Sequence, residues 1–189
     1  MTRLPFIAAV VIWVGFELWL ALRDLFTGRG KAATDKGSRY LISVAFYAGL
    51  FTAALLSRNS RYLFSGGRTS IGLWIGVAVM GAGLALRIWA VAALGASFRL
   101  TVETHKNQAV VESGPYKLVR HPAYSGLILI CLGFGLALQN WLSLAPAVIL
   151  PAAALLYRIH IEEQTLASSI GEDYRSYQRR TKKLMPWIW

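Results

Sequence analysis

Carboxylates are scarce in this chain: nine Asp and Glu stand against twenty Lys and Arg over 189 residues, a formal net charge of +11 at pH 7. Charged residues of both signs reach only 15 % and hydrophobic residues 56 %, where a soluble domain carries roughly 25 % and 45–50 %. With a mean hydropathy of +0.47, that shortage of charge excludes an ordinary water-soluble domain. There is one cysteine, Cys131, so an intrachain disulfide is excluded and the residue reads as a small buried hydrophobe. The three histidines (His105, His121 and His160) and that cysteine form no cluster with ligand spacing, so no metal site is expected. Heptads, internal repeats and low-complexity segments are also missing. A basic excess invites a nucleic-acid reading. Here, however, the Lys and Arg sit almost wholly between apolar blocks, where they meet anionic headgroups, so membrane lipids and no nucleic acid are expected as partners.

What is present is five long apolar stretches, in a chain where a helix of about 20 residues spans the hydrocarbon core. They run 4–22, 40–56, 71–94, 122–138 and 141–157. The first is too long for a signal-peptide core and lacks a small-residue cleavage site, which predicts a retained helix. The last two are joined only by Gln139-Asn140, a link that predicts an antiparallel helical hairpin. Pro146 and Pro151 should kink its second arm, because each removes a backbone donor. The fold class expected is therefore all-α, an integral membrane protein with about five transmembrane helices and an amphipathic cytoplasmic tail. Residues 1–94 form an N-terminal membrane region of three helices. Residues 95–189 carry the hairpin (122–157) and the polar segments around it.

Five spans put the first connection, the third and the tail on one side. That side holds fourteen of the seventeen basic residues in the connections and tail, which predicts it to be cytoplasmic, with the N-terminus outside. The second connection, with Arg58, Arg61 and Arg68, is the exception. Gly72-x-x-x-Gly76, Gly81 and Gly83 in the third stretch predict close helix–helix packing; no strand precedes them as a nucleotide-binding loop requires. Glu17 and Arg87 are charges inside predicted spans, where desolvation is costly, so they should face the interior. They serve either as a structural pair or, for Arg87, as a substrate contact.

Two short segments concentrate the polar side chains. The first runs from Gly114 to Gly126 and holds Tyr116, Arg120, His121 and Tyr124 just before and after Pro122. Pro122 suits the first turn of a helix and pushes His121 out of helical geometry. Such a helix start, with free amides and a positive dipole end, suits a carboxylate or a polar cofactor. It suits equally an interfacial belt of Tyr and Arg. The second segment, Tyr157 to Glu163, places Arg158 and Glu162 at i and i+4 on one helix face. Beyond it, residues 171–189 read as an amphipathic interfacial helix that folds back to cover the site.

At these residues the chain resembles the isoprenylcysteine carboxyl methyltransferase family and the related phospholipid methyltransferases. The resemblance rests on Arg120-His121-Pro122-x-Tyr124-x-Gly126, on Glu162-Glu163, on Gly114-Pro115-Tyr116 before them and on Gly171-Glu172-x-Tyr174 to Pro186 after. It spans roughly residues 94–189. It implies methyl transfer from S-adenosylmethionine within a membrane-embedded fold. Tyr116, Arg120, His121, Pro122, Tyr124, Gly126 and Glu163 would hold the cofactor, and Arg158 and Glu162 would stand beside the transferred methyl and the acceptor. Family members often carry a histidine where Gln108 stands here, with His105 three residues earlier.

The implied chemistry agrees with the residues. Methyl transfer from a sulfonium needs positioning and electrostatics more than covalent help. Arg158 offers a planar two-point clamp for a carboxylate, and Glu162 would orient it or attract the cofactor's cation. The acceptor is expected to be a lipid or isoprenylated small molecule, foremost the carboxylate of an isoprenylated cysteine. A phospholipid amine or a small thiol are the alternatives. A transporter or scaffold would need polar residues spread along several spans, and a sterol-reductase-like enzyme would need additional spans. No residue pattern reports the oligomeric state.

Overall fold

The computed structural model describes residues 3–26, 38–59, 63–64, 68–95, 98 and 110–186. These form helices α1 (Leu4–Phe26), α2 (Ser38–Leu56), α3 (Ser70–Leu94), α4 (Pro122–Leu138), α5 (Trp141–Ser169) and α6 (Glu172–Arg180), with a 3₁₀ turn at Gly114–Lys117. No strand occurs among the described residues. Helices α1, α3 and α5 are each long and apolar enough to cross a membrane, and the apolar parts of α2 and α4 are shorter, 17 residues each. Their outer faces stay exposed and apolar, with Val11, Ile12 and Leu18 on α1, Val44 and Phe51 on α2, and Ile71 and Trp74 on α3. A continuous belt of this kind is what a helix presents to acyl chains, not to water.

Small residues set the helix pairing. A Cβ added at Gly83 would lie 2.7 Å from the Gly126 carbonyl oxygen, and one at Gly126 would lie 2.7 Å from that of Gly83. Only glycine at both positions lets α3 and α4 approach this closely. Gly76 likewise packs on Ala137, whereas Gly81 faces open space and takes no part. Gly49 on α2 meets the Pro146 carbonyl of α5, so α2 covers the second arm of the hairpin. Between these pairs, Ile130, Cys131, Ala147 and Leu155 are fully buried. Cys131 is a free, buried thiol.

The α4–α5 hairpin turns at Gln139, whose φ of 54° is left-handed. Asn140 then caps α5 by accepting from the Ser143 amide at 3.2 Å, while its Nδ2 donates to the Asn59 carbonyl at 2.8 Å. Gln139 clamps Thr69 from both sides: Oε1 accepts the Thr69 amide at 2.7 Å, and Nε2 donates to the Thr69 carbonyl at 3.0 Å. Thr69 itself caps α3. The hairpin tip is thus bolted to the α2–α3 connection.

Helix α5 extends past the apolar stretch that ends at Tyr157 and runs without interruption through both prolines to Ser169, as the shared helix face of Arg158 and Glu162 requires. Its apolar run ends where the lipid-facing surface ends, but Ile159 and Ile161 remain buried against the protein, and that burial carries the helix on. The tail is not one helix to residue 189. α6 ends at Arg180, and Lys182 then pairs with Val119 in an isolated parallel bridge.

Candidate active site

At the start of α4, Pro122 fills the first helical turn and His121 takes the N-cap position with non-helical backbone. The amides of Arg120 and His121, which lead into this helix, are taken. The tail claims them: Arg120 N–H donates to the Lys182 carbonyl at 2.8 Å and His121 N–H to the Lys183 carbonyl at 3.0 Å. Ser125 Oγ donates to the Leu184 carbonyl at 2.7 Å. The returning backbone thus supplies three acceptors, two for amides ahead of the first helical residue and one for a side-chain hydroxyl.

The adjacent acids Glu162 and Glu163 serve different partners, because neighbours on a helix point about 100° apart. Tyr124 donates its hydroxyl to Glu162 Oε2 at 2.8 Å and accepts from Arg158 Nε at 3.3 Å, with Arg158 Nε and Glu162 Oε2 4.0 Å apart. Glu163 takes Arg120 Nε at 2.7 Å, lies 3.3 Å from His121 Nε2 and 3.6 Å from Lys183 Nζ. Arg120 Nη1 then donates to the carbonyls of Gln178, at 3.1 Å, and Thr181. The rings of His121 and Tyr124 stack, 5.6 Å between centroids and 14° apart in plane. One cluster therefore links α4 to α5, and a second ties both to the tail.

Below α6, Tyr177 donates to the Tyr116 carbonyl at 2.7 Å. Burial pushes the Tyr177 hydroxyl up to about 12, and it raises Tyr116 and Tyr174 as well. All three stay neutral donors across the physiological range.

Arg87 and Glu17 pair directly. Arg87 Nη2 meets Glu17 Oε2 at 2.7 Å, Nε meets the other oxygen, and Nη1 donates to the Ala123 carbonyl at 3.2 Å. Every nitrogen of this buried guanidinium is spent on α1 and on the first turn of α4.

A cavity of about 760 Å³ joins these parts. Tyr116, Arg120, His121 and Tyr124 line its polar end together with Arg158 and Glu162. Arg87 also reaches its wall. Trp13, Phe46, Leu50 and Phe51 from α1 and α2 line the apolar end. Of the other residues expected at the site, Pro122 is buried under the tail, Gly126 forms the α3–α4 contact, and Glu163 stands behind the wall on Arg120. Gln108 and His105 lie outside the described residues. Tyr174 and Tyr177 also line the cavity, and sequence reasoning passed over both as sites; the Gly171-x-x-Tyr174 spacing was the available signal.

The model of the isoprenylcysteine carboxyl methyltransferase (ICMT) family matches residues 74–168, half of the chain. This chain belongs to the ICMT family. It is 27 % identical over 190 residues to a probable protein-S-isoprenylcysteine O-methyltransferase of Oryza sativa subsp. indica, covering 97 % of this chain and 95 % of that protein. Over 71 residues it is 38 % identical to a methanethiol S-methyltransferase of Pseudomonas sp., 38 % of this chain and 26 % of that one. Its fold matches the solved structure of a eukaryotic intramembrane Ras methyltransferase ICMT with a TM-score of 0.62 and 22 % identity, over 97 % of this chain and 67 % of that chain. The ICMT fold is all-α and integral to the membrane, as the apolar helices here require.

Proposed function

We propose that this chain is a membrane methyltransferase that uses S-adenosylmethionine to methylate the carboxylate of an isoprenylated cysteine. The observation that carries the reading is the cavity itself. One continuous space has an apolar end between α1 and α2 and a polar end holding a buried arginine, a carboxylate and stacked His and Tyr rings. At about 760 Å³ it lies within the usual range of ligand sites, roughly 300–1,000 Å³.

The polar end suits a cationic, adenosine-bearing methyl donor. The Glu162 carboxylate offers a counter-charge, and the His121 and Tyr124 rings offer an aromatic surface, with Tyr116 opposite. These residues would hold the donor. Bound there, S-adenosylmethionine supplies an electrophilic methyl on sulfur, which passes to a carboxylate oxygen and leaves S-adenosylhomocysteine. No proton moves, so the protein's task is positioning and desolvation.

Arg158 fixes the acceptor carboxylate, because a guanidinium fork matches its two oxygens. Tyr124 and Glu162 hold Arg158 in place from one side. Arg120 and Glu163 keep the tail closed over this end. Arg87, saturated by Glu17 and Ala123, sets the position of the α4 start instead of touching the acceptor. The apolar end takes the isoprenyl chain. Residues 1–94 provide the membrane scaffold, residues 95–189 the chemistry, and the polar end faces the cytoplasm, where the donor is found.

The test is methyl transfer by membranes bearing the full chain, with labelled S-adenosylmethionine and three acceptors: an S-farnesylated cysteine derivative, phosphatidylethanolamine and a small thiol. Label appearing in base-labile ester on the farnesylated cysteine is the expected result. Label only in phosphatidylethanolamine or only in the thiol would overturn the acceptor assignment.

A further inference from the structure

The face opposite the catalytic end sorts its charge in an unusual way. Among the described residues that face is built from residues 3–16, 57–59, 68–72 and 136–145, none of which is acidic or a lysine. It carries Arg3, Arg58 and Arg68. These arginines also run against the charge bias that places basic residues on the cytoplasmic side, so something other than topology retains them.

A second cavity, of about 410 Å³, opens there. It is lined by Arg3, Arg68, Thr69, Leu73, Leu138 and Gln139, and it shares no residue with the catalytic cavity. Its base is rigid. Gln139 is locked on Thr69 in both directions, and Arg68 Nη2 donates to the Ser57 carbonyl. The Arg3 carbonyl accepts from Ile7 N–H, and the exposed Arg3 guanidinium has no polar partner among the described residues. Two arginines line one pocket with no carboxylate among its lining residues, so its potential is positive and favours an anion.

We propose that this pocket binds a phosphate group, in the membrane the headgroup phosphate of an anionic phospholipid. The arginine forks match phosphate oxygens bidentately, and Thr69, Leu73 and Leu138 complete the lining. The pocket lies at the N-cap of α3, the level at which headgroups meet a spanning helix.

The test uses the full chain in nanodiscs of phosphatidylcholine, with and without phosphatidylglycerol, and native mass spectrometry of retained lipid. A parallel arm titrates inorganic phosphate against the detergent-solubilised protein and follows its melting temperature. Wild-type protein should retain phosphatidylglycerol in preference to phosphatidylcholine. Arg3→Gln, which removes no side-chain bond among the described residues, should lower that preference roughly tenfold. Arg3→Gln/Arg68→Lys should lower it further. Stabilisation by inorganic phosphate that also displaces the lipid would uphold the phosphate site and name the free anion as an occupant. Equal retention of both lipids by wild type, or an undiminished preference in Arg3→Gln, would overturn the proposal.

Discussion

Glu17 and Arg87, seventy residues apart on α1 and α3, meet in a two-point ion pair whose remaining nitrogen holds the Ala123 carbonyl of α4. Three helices are thereby fixed at one point, between His121 and Tyr124 in the chain. Removing one member of such a pair strands a charge, at a cost of about 3–5 kcal/mol, whereas replacing both with apolar groups is far milder. Arg87→Met should therefore recover stability in a Glu17→Leu background. Melting temperatures of both single variants and the double variant in one detergent check this. Additive losses would show that the two residues do not act together.

Arg158→Lys keeps the charge and loses the fork. If the guanidinium clamps the acceptor, the loss of a bond to a charged group costs roughly 1.5–3 kcal/mol, or about a ten- to hundred-fold drop in kcat/KM. Glu162→Gln should also lower turnover. Binding of S-adenosylhomocysteine should change far less in Arg158→Lys. Near-normal turnover in both variants would reduce the pair to a structural bridge worth about 0.3–0.5 kcal/mol.

Cofactor affinity should instead follow the stacked rings. His121→Ala and Tyr124→Ala are each expected to weaken S-adenosylhomocysteine binding, as read by calorimetric titration. Chelators should leave that titration unchanged, since no group of metal-holding side chains exists among the described residues. Unaltered affinity in both variants would move the donor elsewhere in the cavity.

The tail closure has a pH signature. The Tyr177 hydroxyl is raised by burial from its ordinary 10.0 to about 12 in the folded chain. The unfolded chain thus loses this proton first, so the contribution is complete below pH 10 and falls away towards pH 12. A melting-temperature series over that window should decline, and Tyr177→Phe should flatten part of the decline. The same variant loses the bond to the Tyr116 carbonyl, worth about 0.5–1.5 kcal/mol. It should therefore expose Arg179 and Arg180 to faster tryptic cleavage at neutral pH.

Topology is testable with single cysteines in a Cys131→Ser background. Asn59→Cys lies at the α2–α3 connection and Asp173→Cys on α6, both exposed. An impermeant thiol reagent applied to sealed, right-side-out vesicles should label position 59 only. Labelling of both positions from one side would contradict the five-span arrangement.

Much of this architecture was legible in the chain because lipid imposes a blunt rule: uncharged runs of the right length become helices. The helix start at Pro122 and the turn at Gln139-Asn140 stand where proline chemistry and two polar residues put them. Helix α5 outlasts its apolar stretch because hydropathy measures lipid contact, and residues 158–161 are buried largely against protein. That Glu17 finds Arg87 could be entertained but not read, since pairing between helices depends on rotation about each axis. The capping of α4 by residues 182–184 left no mark at all. Its acceptors are backbone carbonyls, which every residue carries.

That cap has a consequence for how the protein is made. The amides of Arg120 and His121 are met only by carbonyls some sixty residues later in the chain. All five apolar helices end by Ser169, so none of them needs residues 182–184 in order to form. A chain cut short at residue 175 would keep those helices, with the Arg120 and His121 amides unmet and the Arg120 guanidinium without its two tail carbonyls. Integration into the membrane and completion of the catalytic end are thus separate events in the life of this polypeptide.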